Sequence, residues 1–404
     1  MRQIVCAAIF SLGFVAGCGQ AKDEARAPRT GAAPIAPDSG GETLPAPAAP
    51  PRMTAALPPG ATYTVVPVFY GTNRLPTGTS APNEYYGNQR SDLRLGVCEV
   101  SIPDDHDTGE VERPSIWKLE FREDPNKHVV VLNVQPCDGA AFVHRLRETV
   151  QAADDQDAFI FIHGYNVTFA DGIRRTAQIA HDLKFRGAPI LYSWPARGEI
   201  AEYFRDENTA LWAETRAAEF PEAIARASGA RRIHLIAHSM GNRILAGALE
   251  NLSQSPHRQD FPLFNEVVLT APDLDAATFK RDIAPRILPT ADRFTIYASE
   301  NDLALSASKF AHGEPRLGQG GPHLMTFSEF RTLDMVEDSE VDTSLFSLGH
   351  SYYGSNVTVL DDLRLVLRGS KPGERGLAGE ANRGFWKLLA GIRQTAGLER
   401  TARR

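Results

Sequence analysis

Apolar and polar residues follow two different patterns along the chain, and each pattern predicts a different arrangement. From residue 63 onwards, runs rich in β-branched and aromatic residues predict strands at 63–70, 93–102, 117–122 and 128–134. Later, short continuous apolar runs alternate with segments of helical spacing. This part predicts strands at 158–162, 189–194, from 231, 266–270, 293–299 and 339–346, and helices at 140–152, 170–185, 199–227, after the strand from 231, and at 276–285.

Strands that alternate with helices are joined by crossover connections, and these place the strands side by side in parallel. The run Ala-Phe-Ile-Phe-Ile at 158–162 is apolar throughout, as in a strand buried on both faces. The pattern therefore predicts an α/β fold with a mostly parallel central sheet, helices on both faces and an antiparallel leading edge formed by residues 63–134.

The first 60 residues have another character. Arg2 precedes an apolar stretch at 4–15 that suits a secretion signal and is too short for a stable membrane span. The Val-Ala-Gly-Cys sequence that follows resembles a bacterial lipobox, which implies acylation of Cys18, and Gly19 implies sorting to the outer membrane. We expect a lipid-anchored envelope protein facing the periplasm.

The expected domain organisation follows from this composition. Residues 18–60 are rich in Ala, Pro and Gly and cannot bury a core, so they predict an extended tether. The segments are a lipoprotein signal peptide at 1–17, the tether at 18–60, the α/β domain at 61–369, and a C-terminal helix and tail at 370–404.

Charge and motif content narrow the function. The 404 residues include 43 basic and 50 acidic ones, with no basic stripe, which does not favour nucleic acid as a partner. A phosphate loop, a dinucleotide glycine fingerprint and metal-ligand spacing are absent from the sequence, so no cofactor and no metal are expected. Cys98 and Cys137 each end a strand-like run and form either a disulfide or two buried thiols.

The most informative stretch is residues 233–250. An apolar strand enters Ala-His-Ser-Met-Gly at 237–241, and apolar residues at helical spacing follow. This order of strand, sharp turn and helix is that of a nucleophile elbow with Ser239 at its tip. The small residues that the turn requires are Ala237 and Gly241, so alanine replaces the more usual first glycine. The alternative is a serine in an ordinary loop.

A serine hydroxyl needs a base to take its proton and an acid to orient that base. In this fold the acid and then the histidine follow the serine along the chain. Asp302 follows the strand-like run 293–299, and His350 follows the run 339–346. Asp273 and Asp275 are rival acids, and any of the three could instead cap a helix or form a turn.

An oxyanion hole needs backbone N–H groups that point at the developing negative charge. One is expected from Met240, the residue after the nucleophile. The other is expected from the loop after the strand 158–162, which reads His-Gly-Tyr-Asn, and there Tyr165 is the candidate donor. The alternative for this loop is an ordinary glycine turn.

Several motifs occur together and in order. The set resembles a bacterial α/β-hydrolase family of largely unknown function, whose members are named esterase/lipase superfamily proteins, over about residues 63–365. The resemblance implies an α/β-hydrolase fold with Ser239, Asp302 and His350 as a triad. The motifs are Phe-Tyr-Gly-Thr-Asn-Arg at 69–74, His-Gly-Tyr-Asn at 163–166, Tyr-Ser-Trp-Pro at 192–195, Ala-His-Ser-Met-Gly at 237–241, Ala-Pro-Asp at 271–273 and Gly-His-Ser-Tyr at 349–352.

The residues favour a serine hydrolase that cleaves carboxylic esters through an acyl-enzyme, with a small ester or an acyl lipid as substrate. Amide or peptide hydrolysis on the same triad is the second interpretation. The third is an envelope lipoprotein that binds a partner without catalysis. Because a binding module has no need of a serine, an acid and a histidine in this order, the sequence favours catalysis.

Overall fold

A computed structural model describes residues 57–115, 120–197, 203–301, 305, 313–338, 356–380 and 384–389. Three predicted features lie outside these residues: the signal peptide with Cys18, most of the tether, and the strand at 339–346. Asp302 and His350 also lie outside them. None of the described helices is both long and apolar enough to cross a membrane.

The described strands form a single sheet of eleven, in the order β10-β11-β9-β8-β7-β6-β4-β5-β1-β2-β3. In this order the eight strands from β11 to β1 pair in parallel, while β2 and β3 add an antiparallel edge on one side and β10 adds one on the other. The strands are β1 (Tyr63–Pro76), β2 (Tyr86–Pro103), β3 (Val130–Cys137), β4 (Asp157–Ile162), β5 (Gly187–Ser193), β6 (Arg232–His238), β7 (Phe264–Thr270), β8 (Ala291–Ala298), β9 (Leu333–Glu337), β10 (Ala378–Glu380) and β11 (Phe385–Lys387).

Helices connect the parallel strands as the sequence predicts. Asp138 and Thr168 cap the first two of them, because each side chain accepts a hydrogen bond from the backbone N–H three residues later. The described helices are α1 (Gly139–Ala152), α2 (Phe169–Asp182), α3 (Tyr203–Ala217), α4 (Glu219–Ala227), α5 (Gly241–Ser253), α6 (Ala276–Thr278), α7 (Ala284–Ile287) and α8 (Asn356–Leu367), with a π-helical turn at Phe279–Ile283.

The two faces of the sheet carry separate apolar cores. Ile162 and Leu269 face the core that contains residues of α1 and α5, such as Leu245. Phe161 and Val268 face the other core, with residues of α2 and α8. Side chains alternate along each strand, so a continuous apolar run supplies both cores, and each fully buried large side chain adds about 1.5–3 kcal/mol. The prediction of a mostly parallel sheet covered on both faces is confirmed.

Two predicted elements differ from the structure. Residues 120–122 of the strand predicted at 117–122 have no regular structure, and residues 116–119 lie outside the description. In the C-terminal part, where a helix was predicted from residue 370, the described residues instead form β10 and β11. Each of these strands has three residues, too few for a period of two to be recognised. The structure also contains β9, which the sequence pattern did not predict.

The disulfide considered for Cys98 and Cys137 is not formed, since both thiols are free. Cys98 lies opposite Val134 in the antiparallel pair, whereas Cys137 lies opposite Leu95. Cys98 and Leu95 are three positions apart on one strand, so their side chains lie on opposite faces of the sheet. Accordingly, Cys98 belongs to the core with α2, and Cys137 packs against the other core.

A buried ion cluster attaches the segment after β2 to α2. His106 places Nδ1 2.8 Å from Glu112 Oε1 and Nε2 2.9 Å from Asp182 Oδ1. Gly109 adds a backbone hydrogen bond of 2.7 Å to the other oxygen of Asp182. Burial alone would lower the pKa of His106, but the hydrogen bonds and charges of Asp182 and Glu112 outweigh burial and raise it to about 9.

Because of this cluster, we expect the protein to become less stable at alkaline pH. The folded-state pKa of His106 lies above the usual value of about 6.5, so its contribution is complete below that pH and is lost as the pH rises through about 9. We expect His106→Asn to lower the free energy of unfolding by about 2 kcal/mol at pH 6 and much less at pH 10. Urea unfolding at the two pH values measures this difference.

The matched control is His144→Asn, because the side chain of His144 is 73% exposed beside Glu148. Exposed pairs of this kind contribute little, so the control should unfold like the wild type at both pH values. A His106 variant whose loss of stability is the same at pH 6 and pH 10 would show that the charge of this histidine does not stabilise the fold.

Candidate active site

Ser239 lies on a sharp turn between β6 and α5, at the carboxyl edge of the sheet. Its φ is +51°, a left-handed conformation that costs a non-glycine residue about 1 kcal/mol. Surrounding groups hold it there: the Ser239 N–H donates to the carbonyl oxygen of Thr270 (3.1 Å), and Asn242 donates from its backbone and its side chain to the Ser239 carbonyl oxygen (both 3.0 Å). The turn thus has the strained backbone expected of the elbow.

The loop after β4 lies directly against this turn. A Cβ atom built on Gly164 would lie 3.1 Å from Ser239 Cβ and 3.0 Å from His238 Nδ1. A Cβ atom on Gly241 would lie 2.5 Å from the carbonyl oxygen of His163. The approach at Gly241 leaves no room for a Cβ atom, and the approach at Gly164 is tighter than most Cβ contacts, so the two glycines allow the loop and the elbow to touch.

The two expected oxyanion donors belong to these contacting segments. Met240 is buried and directly precedes the first residue of α5, where the helix dipole favours negative charge. Tyr165 directly follows Gly164 in the loop and is partly buried. The structure therefore brings together Ser239, Met240 and the segment that contains Tyr165.

A buried arginine supports the loop from β1. Arg74 is 1% exposed, and its Nε donates to Ser193 Oγ over 2.9 Å. Its Nη1 donates to the carbonyl oxygens of Gly87 (3.2 Å) and Ala196 (2.9 Å), and its Nη2 to that of Val167 (2.7 Å). Burial lowers the pKa of Arg74 to about 9, so the guanidinium stays charged at neutral pH. The sequence gave Arg74 no role of its own, because it lies past the predicted strand at 63–70, and its only signal was its place in the motif at 69–74.

His163 connects this arginine to the elbow. Its ring stacks on Trp194 with centroids 5.4 Å apart, and Trp194 Nε1 donates to the His163 carbonyl oxygen over 2.8 Å. Its Nε2 lies 3.1 Å from Ser193 Oγ, and its Nδ1 lies 2.8 Å from the carbonyl oxygen of Gly164. Burial, with a smaller effect of the Arg74 charge, lowers the pKa of His163 to about 3. The imidazole is therefore neutral at pH 7.

A buried carboxylate holds the far side of the loop. The backbone N–H of Arg197 donates to the carboxylate of Asp206, in α3. The nitrogen lies 3.1 Å from Oδ1 and 3.3 Å from Oδ2. Asp206 also accepts the backbone N–H of Asn166, which has a φ of +57°. Burial raises the pKa of Asp206 to about 6. No sequence pattern singled out Asp206, because its partners lie in other segments of the chain.

The rival acids are engaged elsewhere in the structure. Asp273 is buried, accepts Arg316 Nε at 2.7 Å and Arg243 Nη2 at 3.2 Å, and donates its backbone N–H to the Ser239 carbonyl oxygen (3.3 Å). Asp275 caps α6 by accepting the N–H of Thr278 (2.7 Å). Asp275 therefore caps a helix, as one alternative predicted, whereas Asp273 forms buried ion pairs next to the elbow.

Two described histidines beside the elbow, His163 and His238, are unsuited to act as its base. Burial, followed by the charge of Arg175, lowers the pKa of His238 to about 3, and its side chain is buried beside Gly164. His323 ends a 3-10 turn at Gly321–His323, and His257 is exposed in a loop. Among the described residues, no group of three or more His, Cys, Asp or Glu is placed to hold a metal ion.

Comparison with known proteins places these residues in a family. Residues 138–368 match the family described as "Alpha/beta hydrolase of unknown function (DUF900)". The matched region covers more than half of the chain and includes the loop after β4 and the elbow. The chain belongs to this family and has the α/β-hydrolase fold.

Two solved structures are similar to the chain. One is a lipase-esterase related protein from Clostridium acetobutylicum ATCC 824, 12% identical, with 53% of this chain and 92% of that one covered and a TM-score of 0.23. The other is a prolyl endopeptidase, 11% identical, with 68% of this chain but 35% of that one covered and a TM-score of 0.26. Both likenesses are distant. A comparison with curated proteins finds no match.

Proposed function

We propose that the protein is a serine hydrolase that cleaves carboxylic esters, with Ser239 as its nucleophile. The observation that carries the proposal is the left-handed backbone of Ser239 at the turn from β6 to α5, with Gly164 packed against it. An ordinary serine loop has no need of this strain, which places a hydroxyl at the tip of the turn. The family of α/β hydrolases supports the same reaction class.

The proposed reaction proceeds in two halves. Ser239 Oγ attacks the ester carbonyl carbon while His350 takes its proton, and Asp302 orients and balances the charged imidazole. The tetrahedral intermediate then collapses, the C–O bond to the alcohol breaks, and His350 returns the proton to the leaving oxygen. Water repeats these steps on the acyl-enzyme and releases the acid. The N–H groups of Tyr165 and Met240 would stabilise the oxyanion in each half.

A histidine base predicts the pH dependence of this reaction. The base must be neutral to accept a proton, so kcat/KM should rise with pH and level off, with a midpoint between about 6 and 8. His163 and His238 cannot cause this rise, because burial lowers the pKa of each to about 3 and both are already neutral. Hydrolysis of p-nitrophenyl acetate and butyrate by the full chain, from pH 5 to 9, measures the profile. His350→Ala should lower kcat by about 10³-fold or more.

One buried carboxylate requires a control in this experiment. Asp206 has a pKa raised to about 6 by burial and touches the loop beside Ser239, so its titration falls in the same range. Asp206→Asn should keep the rise with pH if a histidine causes it. If the rise vanishes in Asp206→Asn, or if His350→Ala keeps full activity, the assignment of His350 as base is wrong.

The choice between esters and amides depends on the leaving group. Matched acyl esters and anilides of p-nitrophenol and p-nitroaniline test it directly, since the acyl part is the same in both. We expect esters to be hydrolysed faster by a large factor. Comparable rates on anilides would favour the amidase or peptidase interpretation, and a folded protein inert to both would favour a binding protein.

A further inference from the structure

We propose that His163, Ser193 and Arg74 are positioning residues that set the orientation of the Gly164–Tyr165 peptide, and so direct the Tyr165 N–H toward the substrate oxygen. The inference deepens the proposed hydrolase function and rests on it. The feature that carries it is a chain of three hydrogen bonds that starts at a buried guanidinium and ends at the Gly164 carbonyl.

The first bond of this chain has a fixed direction. A guanidinium has donors only, so Arg74 Nε donates to Ser193 Oγ over 2.9 Å. The hydroxyl proton of Ser193 is then available for the next neighbour, His163 Nε2, at 3.1 Å. A hydroxyl that donates there requires Nε2 to be without a proton.

The last bond of the chain sets the tautomer of His163. The carbonyl oxygen of Gly164 can only accept, and it lies 2.8 Å from His163 Nδ1. An unprotonated Nδ1 at this distance would place two lone pairs against each other. The neutral imidazole carries one proton, and the bond to Gly164 places it on Nδ1, so Nε2 accepts the hydroxyl proton of Ser193. His163 Nδ1–H therefore donates to the Gly164 carbonyl.

The geometry of a peptide transfers this bond to Tyr165. The carbonyl of Gly164 and the N–H of Tyr165 belong to one planar trans peptide, in which they point in opposite directions. Fixing the oxygen toward His163 therefore fixes the N–H toward the other side of the loop. A flipped peptide would place an oxygen where the donor belongs and would repel the oxyanion.

The peptides around this one are held by other groups. The carbonyl oxygen of His163 accepts Trp194 Nε1 (2.8 Å), and that of Val167 accepts Arg74 Nη2 (2.7 Å). The backbone N–H of Asn166 donates to Asp206. Since glycine allows many backbone conformations, the Gly164–Tyr165 peptide is the place where a further restraint is most needed. The imidazole supplies that restraint.

Two substitutions at residue 163 separate this role from simple packing. His163→Phe keeps an aromatic ring against Trp194 but has no nitrogen to donate. His163→Asn loses the ring but keeps an amide donor near the position of Nδ1. We expect His163→Phe to lower kcat on p-nitrophenyl butyrate by about 30-fold with KM changed less than about twofold, and His163→Asn to recover most of that loss. If the ring only packs, the order of the two variants is reversed.

A matched control removes a neighbouring buried hydrogen bond. Tyr192 directly precedes Ser193 and donates its hydroxyl proton to Asn73 Oδ1 over 2.6 Å. Tyr192→Phe should keep kcat within about twofold, while Ser193→Ala should lower it by about 10-fold. Equal effects of these two variants would overturn the inference, because any lost buried hydrogen bond would then explain the result.

A spectroscopic measurement tests the chain without any substrate. In ¹H–¹⁵N correlation spectra of the imidazoles, His163 should carry its proton on Nδ1 across the neutral pH range. The Ser193→Ala substitution should shift the Nε2 resonance of His163. A proton on Nε2 would overturn the inference. If the wild type neither hydrolyses esters nor reacts with a fluorophosphonate, the proposed function fails, and the tautomer still reports on the chain. If the wild type is active but His163→Asn is no better than His163→Phe, only the positioning role fails.

Discussion

Replacement of Ser239 by alanine is expected to lower kcat for ester hydrolysis by about 10⁴-fold or more, and to abolish labelling by a fluorophosphonate probe. The hydroxyl is the proposed nucleophile, so its removal prevents formation of the acyl-enzyme. The fold should be retained, because the bonds that hold the turn are made by backbone atoms of Ser239. Labelling of the full chain, followed by mass spectrometry of the modified peptide, measures the effect.

Ser253→Ala provides the control for this variant. Ser253 lies at the last position of α5, and its hydroxyl donates to the carbonyl oxygen of Glu250 over 2.7 Å, away from the turn. The Ser253→Ala variant should be labelled at the wild-type rate. Undiminished labelling of Ser239→Ala, or a probe found on a different serine, would refute Ser239 as the nucleophile and turn attention to the binding-protein interpretation.

The second large effect is expected from Gly241→Ala, which should lower the free energy of unfolding by about 3 kcal/mol. A Cβ atom at this position would lie 2.5 Å from the carbonyl oxygen of His163 and 2.6 Å from that of Ile162. Both atoms belong to the backbone, so no rotamer change relieves the overlap, and either β4 or α5 must shift. Urea unfolding at pH 7 measures the loss of stability.

Gly139→Ala is the matched control for this effect. Gly139 is the first residue of α1, and a Cβ atom there would meet nothing within 4 Å. Alanine is favoured over glycine in helices, so this variant should be as stable as the wild type or slightly more stable. If Gly241→Ala is equally stable, the close approach of α5 to the end of β4 is not as tight as the structure has it.

The sequence predicted the elements whose patterns are long enough to be distinctive. β4 and β6 are buried on both faces, so β4 is apolar from Ala158 to Ile162, and β6 is apolar apart from Arg232 and its two histidines, which makes both easy to recognise. β1 and β2 are longer than the predicted runs. The additional residues, such as Arg90, are mostly polar, so they show no alternation of apolar and polar positions from which a strand could be predicted. The pairing of Cys98 with Cys137 failed for a related reason, since sequence spacing across two strands does not give the face on which each side chain lies.

The candidate site was predictable only in its local part. Ser239 and Gly164 each stand in a motif that a few adjacent residues define. The roles of Arg74 and Ser193 arise from a contact between residues 119 positions apart, and that of Asp206 from its bond to Asn166. Such contacts leave no periodic trace in a single sequence. The same limit applies to Asp302 and His350, which the order of the chain predicts and which lie outside the described residues.

The hydrogen bonds of Arg74 also show where the structural domain begins. The family match starts at residue 138, but β1 pairs in parallel with β5, and its arginine reaches Ser193, Ala196 and Val167. A gene fragment cut at residue 138 would encode a sheet with an open edge at β5 and would omit the guanidinium. The hairpin of β1 and β2 is therefore an integral part of the domain. Recombination or engineering that exchanges hydrolase domains of this kind has to transfer residues 63–103 together with the elbow.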